Sequence, residues 1–184
     1  MRNLLALCLG LMLSGCWIGP QFYASSEAVK AIPAGTYNIV DVVDPTLTDY
    51  GTYYSDRVRV AYRPNGTVSI TNDDGEGAES VIITPLTDVP GHDGIYVIQM
   101  DLGQGVAPVG TSVYGLLNIV DGGYQLALPK CDGTRRLRPG SRVIISGLLI
   151  GGRRCSFPDR ASFEQEMRRF AQDPIRWTEY RRVS

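Results

Sequence analysis

The chain has 184 residues, 43% of them hydrophobic, and a formal net charge of −1. That is enough apolar material for one folded domain with a real core. The near balance hides a split: Trp17 to Cys131 carries five basic and thirteen acidic residues, and Asp132 to Ser184 carries twelve arginines and six acidic residues. The two halves either neutralise each other by packing together or leave the arginine-rich half facing an anionic surface. The arginines are not interleaved with aromatics as in nucleic-acid modules, so nucleic acid is not an expected partner.

The first element is Met1-Arg2-Asn3 followed by Leu4 to Leu13, an apolar run unbroken by charge. As a helix it is about 15 Å long, half a bilayer core, which fits the apolar region of a signal peptide and not a membrane span. Leu13-Ser14-Gly15-Cys16 comes next. It resembles the lipobox of bacterial lipoprotein precursors: Leu, two small residues that let a peptidase approach the backbone, and the cysteine whose sulfur carries diacylglycerol. The resemblance covers these residues only. It implies a signal peptide over 1–15, cleavage before Cys16 and a lipid anchor on that cysteine. Trp17 stands where that family places Asp for inner-membrane retention, so the implied address is the outer membrane, facing the periplasm. Several acyl chains at about 0.8 kcal/mol per buried CH₂ make a firm anchor.

An exported compartment is oxidising, which favours a disulfide between Cys131 and Cys155. With 23 residues between its ends, such a loop is worth roughly 3–4 kcal/mol in the chain-entropy picture. Free thiols or a metal pair are the alternatives, and the single histidine, His92, is remote in sequence. In the same setting the arginine-rich half has anionic envelope surfaces, such as lipid headgroups, within reach.

Residues 16–33 have no sustained period and read as a lipidated cysteine and tether with ends roughly 20–25 Å apart; Glu27 to Ile32 suits a helical turn. The domain is expected over 34–184. From Gly35 the period becomes two. Thr36 to Val43 is the first strand. Val58, Val60 and Tyr62 alternate with Arg57, Arg59 and Arg63, and Pro64-Asn65-Gly66 turns the chain into a second strand through Val68 and Ile70. Ser80 to Leu86, Ile95 to Leu102, Ser112 to Val120 and Tyr124 to Leu128 follow with short links. Arg142 to Ile150 reads as a strand buried on both faces. Phe163, Met167, Phe170 and Ala171 form an apolar helical stripe over about 159–172, with Asp159 as N-cap and Pro174 as stop. Ile175 to Val183 returns as a last strand, with Trp177 and Tyr180 packing.

The fold expected is mainly β: a small antiparallel barrel or curled meander of about eight strands with one C-terminal helix. An α+β sheet with the helix across one face is the alternative.

Residues able to carry chemistry are sparse. His92 sits between Gly91 and Asp93 in an expected turn, a poor place for a triad base. Asn72-Asp73-Asp74-Gly75-Glu76 gathers oxygen ligands without the spacing of a calcium loop. No pair among the acids stands out for glycoside cleavage. No phosphate loop or zinc signature is present, so no cofactor or metal is expected. Tyr53, Tyr54, Arg153 and Arg154 are the candidates for a binding surface. The functional expectation is a lipid-anchored, non-enzymatic envelope module that binds an envelope protein or an anionic surface. An envelope hydrolase using carboxylates, or an inhibitor of an attacking hydrolase, is the alternative.

Overall fold

The computed structural model describes residues 17–40, 57–72, 75, 77–92, 94–101, 110–129, 142–145, 153–173 and 177–183. Among the described residues eleven strands run in chain order: β1 Trp17–Pro20, β2 Gly35–Val40, β3 Arg57–Tyr62, β4 Val68–Asn72, β5 Gly77–Pro85, β6 Ile95–Asp101, β7 Thr111–Val120, β8 Gly123–Ala127, β9 Arg142–Ile145, β10 Arg153–Ser156 and β11 Thr178–Arg182. An α-helix, α1, spans Arg160–Ala171, and a 3₁₀ turn covers Ser25–Glu27.

Eight strands close into a ring. β2 to β8 form a meander in which each strand pairs antiparallel with the next. β11 then fills the gap between β8 and β2, antiparallel to both. The barrel expected from the sequence is therefore present, but its membership differs. The apolar run at Arg142 was expected in the ring and lies outside it as β9. The C-terminal strand takes the eighth place. A ring closes only with a strand that can pair on both edges, and Thr178–Arg182 does so although Tyr180 is its one aromatic residue.

The hairpin β3–β4 shows why this sequence makes strands. Val58, Val60 and Tyr62 face the interior cluster, whereas Arg57 and Arg59 are exposed. Gly66 takes a left-handed φ of 85°, and Asn65 Oδ1 accepts from the Thr67 amide at 3.2 Å.

The barrel is filled by its own side chains, as eight strands allow. Tyr37, Val60, Val68, Val81, Ile83, Ile98, Leu117 and Tyr124 are buried inside it. One end is plugged by the segment entering β2. Ile32 is fully buried there, the Val29 amide donates to Ile83 O at 2.8 Å, and the hydroxyls of Tyr37 and Tyr62 donate to Pro33 O and Ile32 O.

Residues 17–33 are thus not a free tether. Trp17 is 1% exposed, β1 pairs with β7 and β10, and Tyr23 and Ile32 are buried. Local sequence gave no period because a four-residue strand held by distant partners needs none. The segment is a strap that crosses the outer barrel wall and then enters its end.

Helix α1 matches the expected stripe. Asp159 caps it, accepting from the Ser162 amide at 2.7 Å. Arg168 and Arg169 sit in the last turn, where the helix dipole favours cations. Phe163, Met167 and Ala171 are buried and Phe170 is partly buried. The helix covers the outer wall of the barrel rather than an end. With the strap it forms a second core against Ile82, Ile95, Val97, Tyr114 and Leu116.

Candidate functional site

Phe163 is the centre of this second core. Its ring centroid lies 4.5 Å from that of Tyr114, 5.1 Å from Phe22, 5.5 Å from Phe157 and 6.3 Å from both Trp17 and Tyr23. Beneath the strap lies a buried polar hub, Gln99, 2% exposed on β6. Its Oε1 accepts from the Phe22 amide at 3.0 Å and the Tyr23 amide at 3.1 Å, and its Nε2 donates to Tyr23 O at 3.1 Å. The Tyr114 hydroxyl lies 3.1 Å from the same Oε1 and bonds Pro20 O. The strap leaves the edge of β7 at Pro20, so its next amides have no strand to pair with. Gln99 supplies what a strand would have supplied.

Charges tie the strap to the helix from outside. Arg160 bonds Glu27 at 2.6 Å and Glu164 at 2.8 Å, and its guanidinium lies 4.3 Å over the Tyr23 ring. Arg168 reaches Glu164 at 3.2 Å and donates to Thr87 O at 2.8 Å. The Arg160–Glu27 pair joins the basic half of the chain to the acidic half, so at this point the two halves do neutralise each other. The Glu27 carboxyl is held below its usual range, first by the Ala24 amide and then by Arg160. Burial pushes the Tyr114 hydroxyl up to about 12, partly offset by its bonds with the Phe22 amide and Ser112.

Beside the plugged end is a groove of about 470 Å³ lined by Pro85 to Val89, His92 and Gly94 to Tyr96. Thr87, Asp88 and His92 are all exposed there. The one histidine therefore sits in solvent, as its turn position suggested. Among the described residues no group of three metal-ligating side chains forms. Glu166 is the one fully buried carboxylate among them, with Arg169 at 3.9 Å.

Tyr37, Tyr124 and Tyr180 face the barrel interior. Tyr124 stacks on Tyr180 at 4.6 Å and meets Tyr37 edge-on at 5.0 Å, all inside the barrel. Burial raises the hydroxyl pKa of each. Tyr53 and Tyr54 lie outside the described residues, as do Cys16 and Cys131. Arg153 and Arg154 are on β10, opposite Ile145 and Ile144 of β9. Cys155 follows them, 3% exposed beside Trp17, and is disulfide-bonded.

Gln99 and Trp17 were not found by sequence reasoning. The available signal was the lack of alternation in Ile95-Tyr96-Val97-Ile98 and Val113-Tyr114-Gly115-Leu116-Leu117. Such runs mark strands covered on both faces, so a polar residue continuing one of them must be satisfied by whatever covers it.

No protein-family model, curated protein or solved structure matches the chain.

Proposed function

We propose that this chain is a lipid-anchored envelope protein whose barrel is a non-enzymatic binding or structural module. The observation that carries the reading is the junction of the lipobox with the fold: Cys16 is followed at once by Trp17, which is buried in the barrel wall. An anchor placed there serves a protein that works while held at a membrane, which on the identity of Trp17 is the outer membrane, on its periplasmic side. The barrel interior is occupied by side chains, which favours recognition through the outer surface and loops over carriage of a ligand inside. The partner is then an envelope protein or the anionic envelope surface itself.

In this reading Cys155 pairs with Cys131, stapling the loop between β8 and β10 and leaving Cys16 for lipid. Non-reducing peptide mapping should find Cys131 joined to Cys155; another pairing removes the staple.

The anchor is tested by fractionation. Cys16→Ser should move the protein from membranes to the soluble fraction. Continued membrane binding of the cleaved variant would end the lipid reading. Crosslinking in intact cells, followed by capture of the full chain, tests the module. Repeated recovery of an envelope protein supports it; turnover of a peptidoglycan substrate by the purified chain would overturn it in favour of a hydrolase.

A further inference from the structure

Four neighbouring strands carry one cross-strand row of outward side chains. Ile95 of β6 pairs with Asn118 of β7, Asn118 with Gln125 of β8, and Gln125 with Glu179 of β11. Ile95 belongs to the outer core and also lines the groove of about 470 Å³, so the row starts at the groove wall and runs over the outside of the barrel. One row closer to the helix, Val97, Leu116 and Ala127 lie in register and are buried. Asn118, Gln125 and Glu179 are only half-buried. They form a ledge at the margin of the helix layer, and three strand spacings make it about 14 Å long.

A chain of hydrogen bonds orders the ledge. Arg181 bonds Glu179 Oε1, Gln125 Nε2 donates to Glu179 Oε2 at 3.1 Å, and Asn118 Nδ2 donates to Gln125 Oε1 at 3.1 Å. The direction of the chain follows from chemistry. A carboxylate only accepts, so Gln125 turns its nitrogen toward Glu179, and its oxygen then takes the Asn118 nitrogen. Gln125 and then Arg181 hold the Glu179 carboxyl below its usual range, which keeps it the acceptor end. The groups left over are therefore fixed in kind: Asn118 Oδ1 and one N–H on each amide. Two residues before Glu179 stands Trp177, half-buried and packed against the outer core.

This arrangement selects among ligands by chemistry. Arg181 balances Glu179, and Asp88 is exposed in the groove, so the site offers an anion no net attraction. Every strand of the ring is paired on both edges, which rules out adding a peptide strand there. An amphipathic helix needs an apolar groove, and the ledge is a row of amides. Sugar hydroxyls both donate and accept, as the leftover amide groups do, and the C–H face of a sugar ring packs on an aromatic ring. Side chains already held in place lose little freedom when a ligand arrives.

We propose that the ledge and the groove at its end bind a neutral glycan chain, with Asn118 and Gln125 taking its hydroxyls and Trp177 packing against a sugar ring. This names a ligand class for the binding module and does not depend on the lipid anchor.

The full chain, in a detergent without a sugar headgroup, is titrated with three probes: the β-1,4-linked tetramer of N-acetylglucosamine, maltotetraose and dextran sulfate. A neutral tetramer should shift the side-chain amide resonances of Asn118 and Gln125 and the indole resonance of Trp177, and leave the buried Trp17 indole in place. Glu179→Gln keeps the size but removes the fixed acceptor, and should weaken binding about five- to tenfold. Trp177→Ala should weaken it about tenfold, and Trp177→Tyr, which keeps a ring if the alanine variant folds poorly, should retain most of the affinity. The proposal is overturned if both neutral tetramers leave the ledge resonances unmoved, if dextran sulfate binds more tightly than either, or if Glu179→Gln binds as the wild type does with an unchanged urea midpoint. Cleavage of a tetramer would overturn the non-enzymatic reading and leave the ligand class standing.

Discussion

The barrel interior and the outer core are built from different parts of the chain. Inside, most neighbours come from successive hairpins: β3 on β4, β5 on β6, β7 on β8. Outside, Trp17, Phe22 and Tyr23 from one end meet Phe157, Phe163 and Phe170 from the other. The Tyr23 hydroxyl donates to Glu164, 141 residues away. Local pairing makes the meander cheap in loop-closure entropy, whereas the outer core forms only when both chain ends return. The polar content differs as well. The interior relies on apolar and tyrosine side chains, but the outer core needs Gln99 to satisfy a strap that is not a strand. The outer layer therefore holds the Trp17 end of the fold and, being built from segments far apart in the chain, is the part most easily undone.

Removing the centre of the outer core should have the largest effect. Phe163→Ala deletes a fully buried ring in contact with five other aromatic rings. A loss of about 3–5 kcal/mol is expected from urea unfolding. The comparison is sharpened by amide exchange: protection in the strap should fall further than in β3 and β4. Equal loss in both would mean the two cores are one cooperative unit.

Gln99→Leu should come next. It keeps the volume but leaves the Phe22 and Tyr23 amides and Tyr23 O without their partner. Each unsatisfied buried group costs about 1–3 kcal/mol, and water reaching the freed strap limits the total to about 2–3 kcal/mol by the same reckoning. Exchange at Phe22 and Tyr23 should quicken while the β2–β3 ladder holds. Unchanged strap exchange would show that ring packing alone holds it.

The interior answers differently. Tyr124 is buried with no partner for its hydroxyl among the described residues, so Tyr124→Phe should be neutral or stabilising by up to about 1 kcal/mol. Its hydroxyl pKa is raised by burial and then by Tyr180 and Tyr37. A raised phenol pKa gives stability that is complete below the unfolded value near 10 and is lost as pH rises toward the folded one. Titration followed by tyrosinate absorbance should show these hydroxyls ionising only as the barrel unfolds. Smooth ionisation near pH 10 in the folded protein would mean that water enters the barrel.

The legible parts of this fold are those with one wet face. Arg57 to Asn72 alternates because its outer side meets solvent, so its strands and turn could be read directly. The helix was legible because Phe163, Met167, Phe170 and Ala171 leave a polar face. β1 was not: Trp-Ile-Gly-Pro has no period, and its burial comes from β7, β10 and a helix some 140 residues on. Nor was the ring's membership legible. Arg142-Val143-Ile144-Ile145 is the stronger strand by composition, but Thr178–Arg182 closes the barrel because pairing on two edges outweighs local propensity. Of the candidate surface, Arg153 and Arg154 could be named from charge alone. Their place on a strand beside β1 depends on a register that local pattern does not encode.

The smallest expected effect lies at the outer rim of the strap. Glu27 takes the Ala24 amide at 2.9 Å and Arg160 at 2.6 Å, with side chains 36% and 41% exposed. Solvent screens such a pair, and Glu27→Gln should cost only about 0.2–1 kcal/mol. Because the carboxyl is held below its usual range, its contribution is present above the unfolded value near 4.3 and disappears as pH falls through the folded one. The difference between wild type and Glu27→Gln, measured by urea unfolding at pH 7 and again well below pH 4, should therefore shrink toward zero in acid. If it persists there, Glu27 acts through shape and not charge. The strap would then be held by its strand pairing, its ring packing and Gln99, without help from the Glu27 charge.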